Sequence, residues 1–202
     1  MGKLNLSIFD TFAYVLPGFL TLVAAVLLFN ESIHRAADAA EVAQQLDLAS
    51  GLALLIAAYI LGFGVDTVGD KLHKYVGFRI WGEPYCYMEV GILEGRALVR
   101  EYSPENHTYI QTWKVMCSMS HNLSVATILV ALAAIIKAVQ YPSLDWMLLS
   151  GGCIILAYVF LYRAHIFDQM HYRDLKVAVE ALHLDVRKPE SSKGQQTAPG
   201  QQ

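Results

Sequence analysis

Four apolar stretches, at roughly 12–29, 48–65, 123–139 and 146–162, divide this 202-residue sequence, and each runs 17 to 18 residues. At 1.5 Å per residue a helix of that length covers about 26 Å, near the lower end of what crosses about 30 Å of bilayer hydrocarbon. Lys137 is the only Lys, Arg, Asp or Glu in any of them. It stands two residues from the end of its stretch, where a long side chain is expected to snorkel to the interface. A soluble core helix of this length would show a polar face, and these show none. The chain is 55% hydrophobic, which fits the same reading.

The basic residues set the expected orientation. Thirteen of the 15 Lys and Arg residues lie before the first stretch, between the second and third, or after the fourth. The other side holds Arg35 and Lys137 alone. By the positive-inside rule both termini are expected in the cytoplasm of a bacterial inner membrane. The predicted fold is therefore all-α and polytopic, with four transmembrane helices in two antiparallel hairpins and a small helical cytoplasmic region. Its expected parts are a first hairpin over 1–69 with an outer loop at 30–47, a cytoplasmic helical segment over 70–120, a second hairpin over 121–163, a cytoplasmic amphipathic helix over 164–187, and a disordered tail over 188–202.

Within these parts the residue types are specific. Pro17 and Gly18 lie inside the first stretch, where proline removes a backbone hydrogen bond, so a kink is expected. Asp10 suits an N-cap for a helix starting at Thr11. The alanine-rich run near Ala36 to Gln45 predicts a short outer surface helix. Glu83-Pro84 followed by 85–100 reads as a cytoplasmic helix, and Ser103-Pro104 ends it. From Thr108 one helix can run into the third stretch. Gly62, Gly64, Gly151 and Gly152 are expected to let helices pack closely. The tail from Lys188 is Pro, Ser, Gly and Gln, a composition that buries too little to fold.

Function has to be sought at the cytoplasmic ends. Tyr59, Gly62, Asp66, Gly69, Asp70 and His73 fall three or four apart on one helix face. Ser118, Ser120, His121 and Asn122 open the third stretch, and His165, Asp168, His171, Arg173 and Asp174 follow the fourth. All three clusters have the same expected depth, where they can converge. Imidazoles and carboxylates there can hold a divalent metal, so Asp66, Asp70, His73, His165 and His171 form the candidate set of a membrane metallohydrolase. That reading is secondary, since the sequence has no HExxH and no histidine pair at i, i+4. The primary expectation assigns no catalytic residue, metal or cofactor.

Tyr172, Leu175, Val179 and Leu182 recur with a/d spacing. This face either packs on the chain's own cytoplasmic segment or forms the seam of a homo-oligomer. Cys86, Cys117 and Cys153 are irregularly spaced, and no disulfide framework is expected. A formal charge of −3, with dispersed basic residues, gives no footprint for nucleic acid. Arg100 and His107 meet the loose Arg-to-His spacing of HEPN ribonucleases, but Glu101 and the Ser103-Pro104 break depart from that pattern, so the spacing is read as coincidence.

Asp10-Thr11-Phe12-Ala13-Tyr14-Val15-Leu16-Pro17-Gly18, His121-Asn122-Leu123-Ser124 and the helix from His165 to Leu182 together resemble small bacterial four-span membrane proteins found beside CRISPR and other anti-phage systems. The resemblance covers about a quarter of the chain. It implies an antiviral-defence effector or sensor that answers a cytoplasmic signal by changing the membrane. The expected partners are membrane lipid, further copies of the chain and a cytosolic protein. A simple tether for a cytosolic enzyme is the third reading.

Overall fold

The computed structural model describes residues 8–44, 47–84 and 91–184, and these form helices with no strand among them. In chain order they are α1 (Ile8–Phe29), α2 (Ala36–Gln44), α3 (Leu48–Leu72), a π-helical turn (His73–Gly77), α4 (Phe78–Trp81), α5 (Ile92–Tyr102), α6 (Pro104–Gln140) and α7 (Leu144–Ala181). Four helical stretches, Thr11–Phe29, Leu48–Trp81, Pro104–Gln140 and Leu144–Ala181, are long and apolar enough to cross a membrane.

α6 is the centre of the bundle and packs on α1, α3, α5 and α7. Its alanines explain the position: Ala126, Ala131, Ala133 and Ala134 are all buried, and their small side chains let neighbouring helices approach. α1 and α3 approach more closely still. A Cβ on Gly18 would run into the Ala58 carbonyl, and one on Gly62 would run into that of Tyr14. Gly64, Gly151 and Gly152 do not share this role, because a Cβ on any of them meets nothing within 4 Å. Spacing alone does not say which face a glycine occupies. Pro17 lies inside an uninterrupted α1, where the Thr21 hydroxyl donates to its carbonyl at 2.9 Å. α1 already includes Ile8 and Phe9, so Asp10 lies inside the helix and not ahead of it.

Large apolar side chains cover the outside of the bundle, including Phe19 on α1, Ile60 on α3, Ile136 on α6 and Ile155 on α7. Such a belt would be costly in water and is at home in lipid. α6 and α7 outrun it. Their 37 and 38 residues make rods of about 56 Å, nearly twice the hydrocarbon thickness. Residues 104–122 and 163–181 therefore project beyond the apolar stretches as one helical pair, with α5 packed on it.

The expected borders at 69/70, 120/121 and 163/164 fall inside α3, α6 and α7. A helix satisfies its own backbone in lipid and in water alike, so a change of solvent does not end it. α5 starts at Ile92, after Gly91, and not at Pro84; residues 85–90 of the expected helix lie outside the described residues, as does the tail from 188.

The a/d face on α7 is used within the chain. Leu175 and Val179 are buried in a core with Val99, Ile110, Ala178 and Leu184, with Leu182 packed against it, and Tyr172 is half-buried. Of the two uses open to that face, packing on the chain's own segment takes the side chains an oligomer seam would need. Lys137 also departs from expectation. It is 2% exposed and donates at 2.9 Å to the carbonyl of Asn30, the residue that follows α1.

Candidate functional site

Where the projecting helices leave the apolar belt, parts of all three polar clusters meet. α3 brings Asp66, the π-helical turn opens with His73, α6 brings Cys117, Ser118, His121 and Asn122, and α7 brings His165. α3 packs on α1 and α6, while the π-helical turn reaches α7. Trp81 of α4 then lies against Tyr158, Tyr162 and His165, at ring distances of 5.7, 5.4 and 5.7 Å. π-Helical turns insert a residue into the helical register and are frequent at functional sites. Here the turn begins at the histidine that meets both neighbouring helices.

Asp66 is the polar hub of the α3–α6 contact. One of its oxygens accepts from Ser118 Oγ at 2.5 Å and Asn122 Nδ2 at 3.0 Å, and lies 3.3 Å from His121 Nε2. An ionised carboxylate only accepts, so a bond to it needs a proton on His121 Nε2, and a neutral ring then turns the lone pair of Nδ1 the other way. That Nδ1 is buried and has no hydrogen-bond partner, and the same holds for His73 Nε2 and His165 Nδ1. The three rings are neighbours: His73 to His121 is 6.1 Å between centroids, and His73 to His165 is 6.4 Å.

Cys117 and His121 stand at i and i+4 on one face of α6, and His73 comes to them from across the helix contact. Their donor atoms all lie within 4.8 Å of one another, and all three residues are buried. Glycines make the room. A Cβ on Gly69 would come within 2.6 Å of His121 Cδ2, and one on Gly77 within 3.0 Å of His73 Cδ2. Two imidazoles and a thiol in this arrangement can ligate a transition metal.

Of the five expected ligands, His73 and His165 meet, and Asp66 stands behind His121. The other two have different partners. Asp70 pairs with Lys74 at 2.7 Å one turn along the same surface. His171 donates from Nδ1 to the Ile110 carbonyl at 3.1 Å, and its Nε2 accepts from Arg96 at 2.8 Å. It lies nine residues past Tyr162, about 14 Å beyond the apolar stretch. Burial there, with the charges of Arg96 and Lys114, holds its pKa down at about 4 against the Ile110 hydrogen bond. His171 is thus a neutral crosslink between α6, α7 and α5.

Farther along the projecting helices, Arg96, Arg100, His107 and Gln111 line a cleft of about 200 Å³. Arg100 and His107, whose spacing is read as coincidence in the sequence, share this cleft because α5 folds back on α6.

The expected ligand set leaves out Cys117, since the cysteines are read only for disulfides, and His121, which stands in a polar cluster but not among the ligands. The signal was present as Cys117-x-x-x-His121, a ligand pair at i, i+4 that a search restricted to two histidines passes over. His73 joins it only through the α3–α6 packing. No family model, curated protein or solved structure matches the chain.

Proposed function

We propose that this chain is a bacterial inner-membrane protein of four spans in two antiparallel hairpins, with both termini and the projecting helices in the cytoplasm, and that it acts as a signal-responsive membrane effector. Binding of a cytosolic partner to the projecting helices is the input, and a change in the membrane-embedded helices is the output. The chain works as a homo-oligomer able to open a pore, since one protomer places few polar residues within its spans. The resemblance to proteins found beside anti-phage systems makes antiviral defence the setting.

The observation that carries this reading is the continuity of α6 and α7, each a single helix through both the apolar belt and the projecting region. A rigid helix transmits a displacement at one end to the other, which a flexible linker does not. Tethering would need no such rods.

The test is membrane potential in bacterial cells producing the full chain, read with a potential-sensitive dye. Production is expected to depolarise the membrane. A Gly-Ser insertion after Asp174, within the projecting part of α7, is expected to abolish depolarisation while the protein still fractionates with membranes. Absence of depolarisation, or depolarisation indifferent to the insertion, would overturn the reading. Asp145→Cys, at an exposed position beside the α6–α7 turn, should react with an impermeant maleimide from outside intact cells; reaction only after permeabilisation would reverse the orientation.

A further inference from the structure

We propose that His73, Cys117 and His121 form a binding site for a zinc-class divalent transition metal, with Asp66 orienting His121 from behind. This goes beyond the effector reading and does not depend on it.

Donor chemistry comes first. His73 offers Nε2, Cys117 its Sγ, and His121 offers Nδ1 because Asp66 occupies the side of the Nε2 proton. A carboxylate on the far nitrogen of a ligating histidine is the usual means of fixing its tautomer and raising its basicity. Asp66 is itself held by Ser118 and Asn122. The ligand, its orienting carboxylate and the groups fixing that carboxylate are therefore all present.

Geometry agrees in scale. Tetrahedral zinc with bonds of about 2.0–2.3 Å separates its donors by roughly 3.3–3.8 Å. One ring nitrogen of each histidine and the Cys117 sulfur lie within 4.8 Å of one another, so contraction by about 1 Å, within the reach of side-chain rotation, closes the site. His165, whose buried Nδ1 has no partner, stands beside His73 as a further donor for the fourth position.

The energetic argument is the orphaned nitrogens. A buried polar atom without a partner costs about 1–3 kcal/mol, and His73, His121 and His165 gather three within one cluster. A bridging water would serve the imidazoles but gain little from a thiol, a weak donor and a weak acceptor. A soft divalent ion uses both kinds of donor. Binding releases one proton, from the Cys117 thiol, and the thiolate and the Asp66 carboxylate together balance the charge of the ion. Gly69 and Gly77 leave the clearance that both rings occupy.

The test uses full-length protein in detergent, stripped with chelator and titrated with cobalt(II). One cobalt per chain is expected, with the sulfur-to-metal charge-transfer band and strong visible absorption of a tetrahedral thiolate site, and stoichiometric zinc should displace it. Cys117→Ser should remove the charge-transfer band, whereas Cys153→Ser and Cys86→Ser should leave it intact. Asp66→Asn should keep the band and weaken cobalt affinity by about 10- to 100-fold. Helical circular dichroism and gel filtration of each variant separate lost binding from lost folding, and a Cys117→Ser protein that unfolds is replaced by Cys117→Ala. Substoichiometric binding to folded wild-type protein, a weak octahedral spectrum without the charge-transfer band, or a band that persists without Cys117 would each overturn the site.

Discussion

The two ends of the bundle handle buried polar groups in opposite ways. At the α2 end, each large buried polar side chain meets a carbonyl from elsewhere in the fold: Lys137 Nζ donates to Asn30, and Trp146 Nε1 donates to His34, both at 2.9 Å. At the histidine end, Asp66 is heavily engaged while three imidazole nitrogens are left without partners. Burying a polar group without a partner is destabilising; the first end leaves the Ser143 hydroxyl without one among the described residues, whereas the second gathers three imidazole nitrogens of donor capacity beyond what closure needs. That contrast, more than any single residue, is what makes the histidine end the candidate site.

Breaking the closed end gives the largest effect. Trp146→Ala removes a fully buried indole from the contact of α1, α2, α6 and α7 and should destabilise the fold by about 3–5 kcal/mol, measured by denaturant unfolding in detergent. A smaller loss is expected from Lys137→Met. It keeps the aliphatic packing but leaves the Asn30 carbonyl with only the longer bond from the Ile33 N–H at 3.4 Å, so the loss is that of one hydrogen bond, about 0.5–1.5 kcal/mol, measured in the same way. If Lys137→Met matched wild type, the hydrogen bond would not be what closes this end.

Acid should separate the two ends. The folded pKa of His171, about 4, lies below its ordinary value of 6.5. Its neutral form is therefore favoured by folding: the stabilisation is full above 6.5 and is lost as pH falls from 6.5 towards 4. Asp38 at the other end has its pKa lowered from 3.8 by accepting from the backbone N–H groups of Arg35 and His34, so its contribution survives that window and fades only below it. Hydrogen exchange at about pH 5, corrected for its intrinsic pH dependence, should show lost protection across 96–110 and 165–180. Protection across 30–44 should hold. Equal loss at both ends would cancel the comparison.

The smallest effect is expected from Asp38→Ala. It removes the side chain that reaches back to the N–H groups ahead of α2. Faster exchange should be confined to the first turn of α2, with the bundle unchanged.

Much of the scaffold is readable from composition. Apolar runs of 17 to 18 residues announce helices suited to lipid, and the absence of breakers after Tyr162 announces that α7 continues. The borders at 69/70 and 120/121 mark changes of polarity alone, and the helices expected across them, over 59–73 and from Thr108, run on because the backbone hydrogen bonding does not change there. The candidate site was half legible. Asp66, His73 and His165 stand out as polar residues at the ends of apolar stretches, but Asp70 and His171 stand out equally and have other partners. Helical periodicity assigns a face and gives no distance between helices.

By itself the sequence determined the class of the fold, four long apolar helices with polar clusters at one end. The physical reason is local: a span needs enough consecutive apolar residues and no breaker, and both are properties of a short window. Only the tertiary structure decided which histidines meet. Gly18 and Gly62 bring α1 to α3, Gly69 brings α3 to α6, and the π-helical turn carries His73 to Cys117, His121 and His165. These are contacts between residues 40 or more positions apart, and they depend on where a side chain is missing as much as on where one is present.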